Sequence, residues 1–369
     1  MVGSHAGGGV ASVAPLDVFE RAARGGGAAQ AAMAMGDGRS FGLVVGDDAL
    51  TVSIVDSAVR VAPGLDGAEV AVALDTDAFV DLVSEDQSMF GLLYAGRLSV
   101  VRGEFDWFAA WEPALQALLY EREVFDASCE VLEADTARVW SIDDDPIAMT
   151  AALERFGFLH LRAVFDDAEI AELSAEADRL RDESVPGDRT SWWATLDDGS
   201  EVCCRVTYMA ERSRAFADLA HDPRLERIAS LTGLTLRVAP DRNDGVSVVI
   251  KNPGAVSGLS DLPWHRDCGL GGHPRMCPGV LLGVNLDRAD AAHGQLWFLP
   301  GSHHHGGPVG DPVASGLGVV AIDAEPGDVT IHYQHVLHAA PAPTALSGRG
   351  RRAVYIGFER EELFDAVEA

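Results

Sequence analysis

From Leu236 to the C-terminus the chain is a succession of short apolar runs cut by Gly, Pro, Asp and Asn: SVVIK, GVLLGVNLD, GQLWFLPG, GVVAIDA, DVTIHYQHVLHA and RRAVYIGF. Short strands punctuated in this way point to a β-sandwich or jelly roll. Helical periodicity precedes them. DDAEIAELSAEADRLRDES carries Ile170, Leu173, Ala177 and Leu180 as one apolar stripe. A helix is expected to end at Gly157, with FLHLRAV following as a strand. SRAFADLAHDPRLERIASLTG reads as helical with breaks near residues 221–223. Between them, GDRTSWWATLDDGSEVC reads as a loop. Its adjacent Trp192 and Trp193 would form a lid or substrate wall, or else buried anchors.

The earlier part of the chain has a different texture. ALTVSIVD alternates Leu50, Val52 and Ile54 on one face, and AVRVAPG and AEVAVALD repeat this with Val59, Val61, Val70, Val72 and Leu74. Turn residues separate the runs. TDAFVDLVSED reads as a helix capped by Thr76, with Phe79, Leu82 and Val83 on one side. GRLSVVRGEF reads as a further strand, and DWFAAWEPALQALLYERE as a closing helix that restarts at Pro113. Residues 124–147 are acidic and mixed and suit a connector. At 369 residues the chain exceeds one typical domain core, so two domains are expected.

Charge narrows the partners. A formal net charge of −29 repels nucleic acid and anionic membrane surfaces. No run of about 18 apolar residues suggests a membrane span, and MVGSHAGGGV lacks the pattern of a secretory signal. The five cysteines (Cys129, Cys203, Cys204, Cys268 and Cys277) include no CxxC pair. Reduced thiols and a cytoplasmic location are therefore expected, with Cys203 and Cys204 buried for structural reasons. The chain has one lysine, Lys251.

LPWHRDCG sets His265 and Asp267 two residues apart. In an extended strand residues i and i+2 point the same way, so imidazole and carboxylate can reach one ion while Arg266 points elsewhere. The pair needs a distant histidine on a neighbouring strand. PGDVTIHYQHVLHAAPAP offers His332, His335 and His338. Two histidines and one carboxylate form the facial set of non-haem iron(II) enzymes, which leaves positions open for co-substrate and oxygen. Zinc is the alternative ion, although a structural zinc site normally has four protein ligands.

The stretch from about residue 145 to 359 resembles the phytanoyl-CoA dioxygenase family of iron(II)- and 2-oxoglutarate-dependent oxygenases. LPWHRD, GVNLDRADAAHGQLWFLPGSHHHG, PGDVTIHYQHVLHAAPAP and RRAVYIGF carry the resemblance. It implies an α+β chain whose C-terminal part is a double-stranded β-helix, a cupin-like jelly roll with flanking helices. It implies His265, Asp267 and His338 as the metal ligands and catalytic centre, His338 being the distal histidine that ends the Gly-Asp strand. It implies Arg351 as the arginine for 2-oxoglutarate, with Arg352 as runner-up. The length of AAPAPTALSGRG keeps Arg349 in the choice. A guanidinium suits the far carboxylate because it offers two parallel donors and a permanent charge.

Trp297 is expected to pack near the co-substrate and Lys251 to face its iron-proximal end; core packing and a surface ion pair are the respective alternatives. The cofactors implied are Fe(II), 2-oxoglutarate and O₂, with succinate and CO₂ released. His332 shares strand parity with His338 and could line the site, whereas His335 should point away. His303, in GSHHHGG, is expected on a solvated loop at the rim. The presence of Asp267, where halogenating relatives carry Gly or Ala, argues against halogenation.

Residues 17–123 resemble the sterol-carrier-protein type of lipid-binding domain, on GLDGAEVAVALDTDAFVDLV and GRLSVVRGEFDWFAAWEPALQALL. This implies a small α+β domain with an apolar tunnel, a filled core being the alternative. The expected division is 17–123, a linker over 124–144, and an oxygenase domain over 145–369. A lipophilic small-molecule substrate follows from the pairing: a terpenoid, polyketide, lipid or acyl thioester, free or bound to CoA or a carrier. Hydroxylation is the expected reaction. Desaturation, epoxidation or rearrangement, or a non-catalytic lipid carrier, are the alternatives.

Overall fold

The computed structural model describes residues 14–125, 138–238, 244–256, 258–268, 279–308, 310–345, 347–348 and 350–360. The chain divides into two units, each with its own apolar core; the first runs to Phe125 and also takes in the segment His305–Gly310. Among the described residues no helix is long and apolar enough to cross a membrane.

In the first unit the alternating runs form a five-stranded sheet. Ser40–Val45, Asp48–Val55 and Ala58–Pro63 make an antiparallel meander. Val70–Leu74 runs parallel to Ser40–Val45, and Leu98–Arg102 closes the far edge. Leu50, Val52, Ile54, Val70, Val72 and Leu74 are all buried. The Phe41 ring meets Phe19, Phe108 and Trp111 edge-on at 4.8–5.9 Å, which ties the first and last helices to the sheet. The cap of Thr76–Val83 is Asp75 rather than Thr76, because the Asp75 carboxylate accepts the Ala78 N–H. The closing segment is two helices, Phe105–Ala109 and Glu112–Tyr120, with Pro113 in the first turn of the second, where a missing N–H is harmless. The expected connector carries structure at both ends. Val124–Phe125 pairs with Gly307–Pro308, and Val139–Trp140 pairs with Phe158–Leu161.

In the second unit a large sheet runs Val139–Trp140, Phe158–Leu161, Val329–Tyr333, Val280–Asn285, Arg351–Arg360, Ser247–Lys251, Glu201–Val206, Ser191–Thr195, with Leu236–Val238 also on Arg351–Arg360. A four-stranded sheet runs Leu262–His265, His338–Ala340, Leu296–Phe298, Val320–Ile322. Phe158 of the large sheet stacks on Phe298 of the small one at 4.4 Å, so the sheets meet face to face, consistent with a jelly roll. Alternation sorts the central strand. Val354, Ile356 and Phe358 lie opposite Val284, Leu282 and Val280, all at most 2% exposed, in the core shared with the helices. Arg351, Ala353, Tyr355 and Gly357 fall on the other face.

The expected helices Pro146–Phe156 and Asp167–Glu183 form. The first ends at Gly157 with φ 87°; the second buries Ile170, Leu173, Ala177 and Leu180. The tryptophan segment differs from expectation. It is a hairpin, Ser191–Thr195 with Glu201–Val206, because Asp197, Asp198 and Gly199 make a turn between two runs of aromatic, β-branched and thiol side chains. Ile356→Ala, in the middle of the central strand, is expected to cost about 2–5 kcal/mol of stability, read as a lower midpoint in urea unfolding.

Candidate metal centre

The register between Leu262–His265 and His338–Ala340 sets His265 opposite His338. Opposed residues on paired strands project from the same face, and the two ring centroids are 4.2 Å apart. Asp267 lies just past the first strand. Its N–H and that of Cys268 both donate to the Gln334 carbonyl, at 2.8 and 3.1 Å. Arg266 turns the other way and donates to the carbonyls of His335 (2.8 Å) and Ser302 (3.0 Å). One residue faces the site while its neighbour anchors the loop behind it.

Donor atoms of His265, Asp267 and His338 all lie within 4.8 Å of one another. His265 Nε2 is 3.6 Å from Asp267 Oδ1, and His338 Nε2 is 3.7 Å from Asp267 Oδ2. Each ring is oriented from behind: His265 Nδ1 bonds the Pro263 carbonyl (2.7 Å) and His338 Nδ1 the Val336 carbonyl (3.0 Å). A carbonyl only accepts, so each Nδ1 carries the proton and each Nε2 turns a lone pair toward Asp267. Burial and the facing His338 push His265 down to about 4, and burial lowers His338 as well. Burial alone would raise the Asp267 carboxyl, yet the facing His338 and a hydrogen bond from His332 hold it well below the usual carboxylate range. At neutral pH the trio is therefore two neutral imidazoles and one carboxylate. That donor set fits a divalent first-row transition metal such as Fe(II).

A second group lies on the large sheet. Lys251 and Arg351 are register partners on adjacent strands, 1% and 3% exposed. Lys251 Nζ donates to the Ala340 carbonyl, two residues beyond His338. Burial and the Arg351 charge push Lys251 down to about 7. Arg351 donates to the Gly294 carbonyl (2.6 Å) and the Tyr355 hydroxyl (3.0 Å), and its buried Nε has no partner among the described residues. Two cations this close and this buried fit an anionic ligand. Lys251 is thus interior, not in a surface ion pair.

Arg352 projects from the opposite face. Its guanidinium is held by Asp287 at 2.7 and 3.0 Å, Asp178 at 2.9 Å and Ser174, a bracing role for the helix Asp167–Glu183. Arg349 lies outside the described residues.

Trp297 is a correction. It pairs with Ala339, while its neighbour Phe298 pairs with His338, so alternation turns Trp297 away from the trio and Phe298 toward it. The Phe298 ring lies 6.0 Å from His338 and 5.1 Å from His332. The sequence pattern did not single out Phe298, although its parity with Leu296 could have done so. His332 does line the site, with Nε2 3.4 Å from Asp267 Oδ2. His335 packs instead with Tyr333 and His303, at 5.4 and 5.9 Å. His303 is not solvated: it is 5% exposed and bonds the Glu154 carbonyl at 2.8 Å. Burial and the adjacent His304 push it down to about 3. Trp192 is 44% exposed and Trp193 half-buried on the edge strand. Cys203, Cys204 and Cys268 are all buried.

The sequence profile of the phytanoyl-CoA dioxygenase family matches residues 153–353, more than half of the chain. The chain belongs to this family. Among solved structures, EvdMO1 is 24% identical with a TM-score of 0.48, over 58% of this chain and 50% of its own. The match therefore spans half the length of EvdMO1. AviO1 from Streptomyces viridochromogenes Tue57 is 27% identical with a TM-score of 0.47, over 59% of this chain and 96% of its own. The epimerase SnoN, solved with Fe3+, alpha ketoglutarate and nogalamycin RO, is 23% identical with a TM-score of 0.47, over 58% of this chain and 85% of its own. No curated protein gives a significant match.

His335→Ala is expected to leave Co(II) affinity within about threefold of the unaltered chain. Asp267→Ala should weaken it by more than the roughly 10–100-fold typical of losing an outer-shell partner. Calorimetric titration with Co(II) checks both.

Proposed function

We propose that this chain is an iron(II)- and 2-oxoglutarate-dependent dioxygenase that oxidises a small organic molecule, with hydroxylation as its reaction. The observation that carries this reading is the convergence of two neutral imidazoles and one carboxylate beside a buried Lys251–Arg351 pair. His265, Asp267 and His338 would hold the ion on one side and leave the other side free for ligands. When bound, iron and 2-oxoglutarate supply the oxidation of a C–H bond by O₂, with succinate and CO₂ released.

The chain's own residues set the placement. Arg351 would take the far carboxylate of 2-oxoglutarate, held in place by Tyr355 and Gly294. Lys251 would meet the iron-proximal end, since its amine bonds the strand that carries His338. Phe298, between Phe158 and His338, would give the trio an apolar neighbour. The pattern of residues 17–123 supports a sterol-carrier-like lipid-binding role for the first unit. It also supports a lipophilic substrate such as a terpenoid, polyketide, lipid or acyl thioester.

The test is succinate release from 2-oxoglutarate on addition of Fe(II), under air. Turnover that depends on both supports the proposal; none across a broad panel of lipophilic substrates, with metal bound, would overturn it. The two arginines should separate. Arg351→Ala is expected to weaken 2-oxoglutarate binding about 10–100-fold, the loss of charge-assisted bonds. Arg352→Ala should leave that affinity unchanged but lower stability by about 2–3 kcal/mol, less than for a fully buried pair because its carboxylate partners are partly exposed.

Lys251 adds a pH dependence. Its lowered value near 7 means that the charged, carboxylate-binding form is lost as pH rises through about 7. Affinity for 2-oxoglutarate should therefore fall between about pH 6 and about pH 9, and Lys251→Met should flatten the profile.

A further inference from the structure

We propose that His332 is a positioning residue for the metal centre: its Nε2–H holds Asp267 Oδ2, so that the carboxylate offers one oxygen to the ion and not two. The inference rests on the iron-site reading above.

His332 sits on Val329–Tyr333, between Phe158 on one neighbouring strand and Leu281 on the other. It is fully buried. Its ring lies 4.7 Å from that of His338 and 5.1 Å from that of Phe298. Nε2 is 3.4 Å from Asp267 Oδ2. Nδ1 is buried and has no partner among the described residues. A ring that served packing alone would be better as Phe or Leu, because a buried nitrogen without a partner is penalised. The histidine makes sense through its other nitrogen. The orphaned Nδ1 also decides the tautomer: with no acceptor beside it, the ring proton sits on Nε2, where the carboxylate accepts it.

The consequence lies in coordination number. A carboxylate with both oxygens free can bind a cation through either one or both. With Oδ2 engaged by His332, the oxygen left for the ion is Oδ1, which faces His265 Nε2 at 3.6 Å, while His338 Nε2 lies 3.7 Å from the engaged Oδ2. A six-coordinate ion held this way would keep three positions for co-substrate and oxygen, where a bidentate carboxylate would leave two. His332 also restrains the Asp267 side chain from the large sheet, while the Gln334 carbonyl restrains its backbone.

The test uses Co(II) alone as probe, with affinity from calorimetry and coordination from the visible ligand-field spectrum. Four variants are compared with the unaltered chain: His265→Ala, His332→Phe, His332→Gln and His332→Asn. His332→Phe is expected to weaken Co(II) about 10–100-fold and to change the spectrum, with the metal-free chain still folded by circular dichroism. His332→Gln, whose amide nitrogen can occupy the place of Nε2, should recover affinity to within about threefold and restore the spectrum. His332→Asn, which reaches only as far as Nδ1, should not. If His332→Phe does not fold, His332→Met takes its place as the variant without a donor.

Wild-type affinity and spectrum in the donor-less variant would overturn the inference. So would a Gln variant no better than the donor-less one. Undiminished Co(II) binding by His265→Ala is a separate outcome, which would sink the iron-site reading itself.

Discussion

The structure of this site depends on one antiparallel register. His265 faces His338 across two short strands, and a shift of one residue would send either ring to the far side of the small sheet. The loop beyond His265 is then set by backbone bonds. The Gln334 carbonyl takes the N–H groups of Asp267 and Cys268, and Arg266 fastens the same loop to His335 and Ser302. Three donor groups from two distant parts of the chain converge because main-chain bonds set their directions. The Nδ1 bonds to Pro263 and Val336 then fix which nitrogen of each ring looks inward.

Electrostatics follows from the same enclosure. Burial keeps His265 and His338 neutral, and the hydrogen bond from His332 helps keep Asp267 ionised. A chain of net charge −29 places its one lysine and an arginine side by side in the interior. Burial first, and then the Arg351 charge, lowers Lys251. Such a pair fits an acidic ligand better than a neutral one. Arg352, one residue away, has the opposite role: its partners are internal carboxylates, and it joins the sheet to a helix.

Local pattern carried much of this. The spacing of His265 and Asp267 is legible because strand parity is a local rule. The helix over Asp167–Glu183 is legible because its stripe is strong and its cap, Asp166 with Glu169, is encoded in adjacent residues. What sequence left open was decided by register or by distant partners. Trp297 and Phe298 differ by one residue, and only the pairing with His338 says which faces inward. Arg351 and Arg352 are separated in the same way, by the face of a strand. His332 and His303 look alike in sequence, yet one meets Asp267 and the other the Glu154 carbonyl, both contacts from far along the chain. The tryptophan hairpin is hidden in the sequence because its turn residues outweigh two short, weakly alternating strands.

Whether three side chains, and no fourth, hold a ferrous ion here can be read from anomalous diffraction at the iron edge, on crystals loaded with Fe(II) without oxygen. A single peak is expected about 2.0–2.2 Å from Nε2 of His265, Nε2 of His338 and one carboxylate oxygen of Asp267. A peak elsewhere, or a fourth protein ligand closing the open side, would rule this site out.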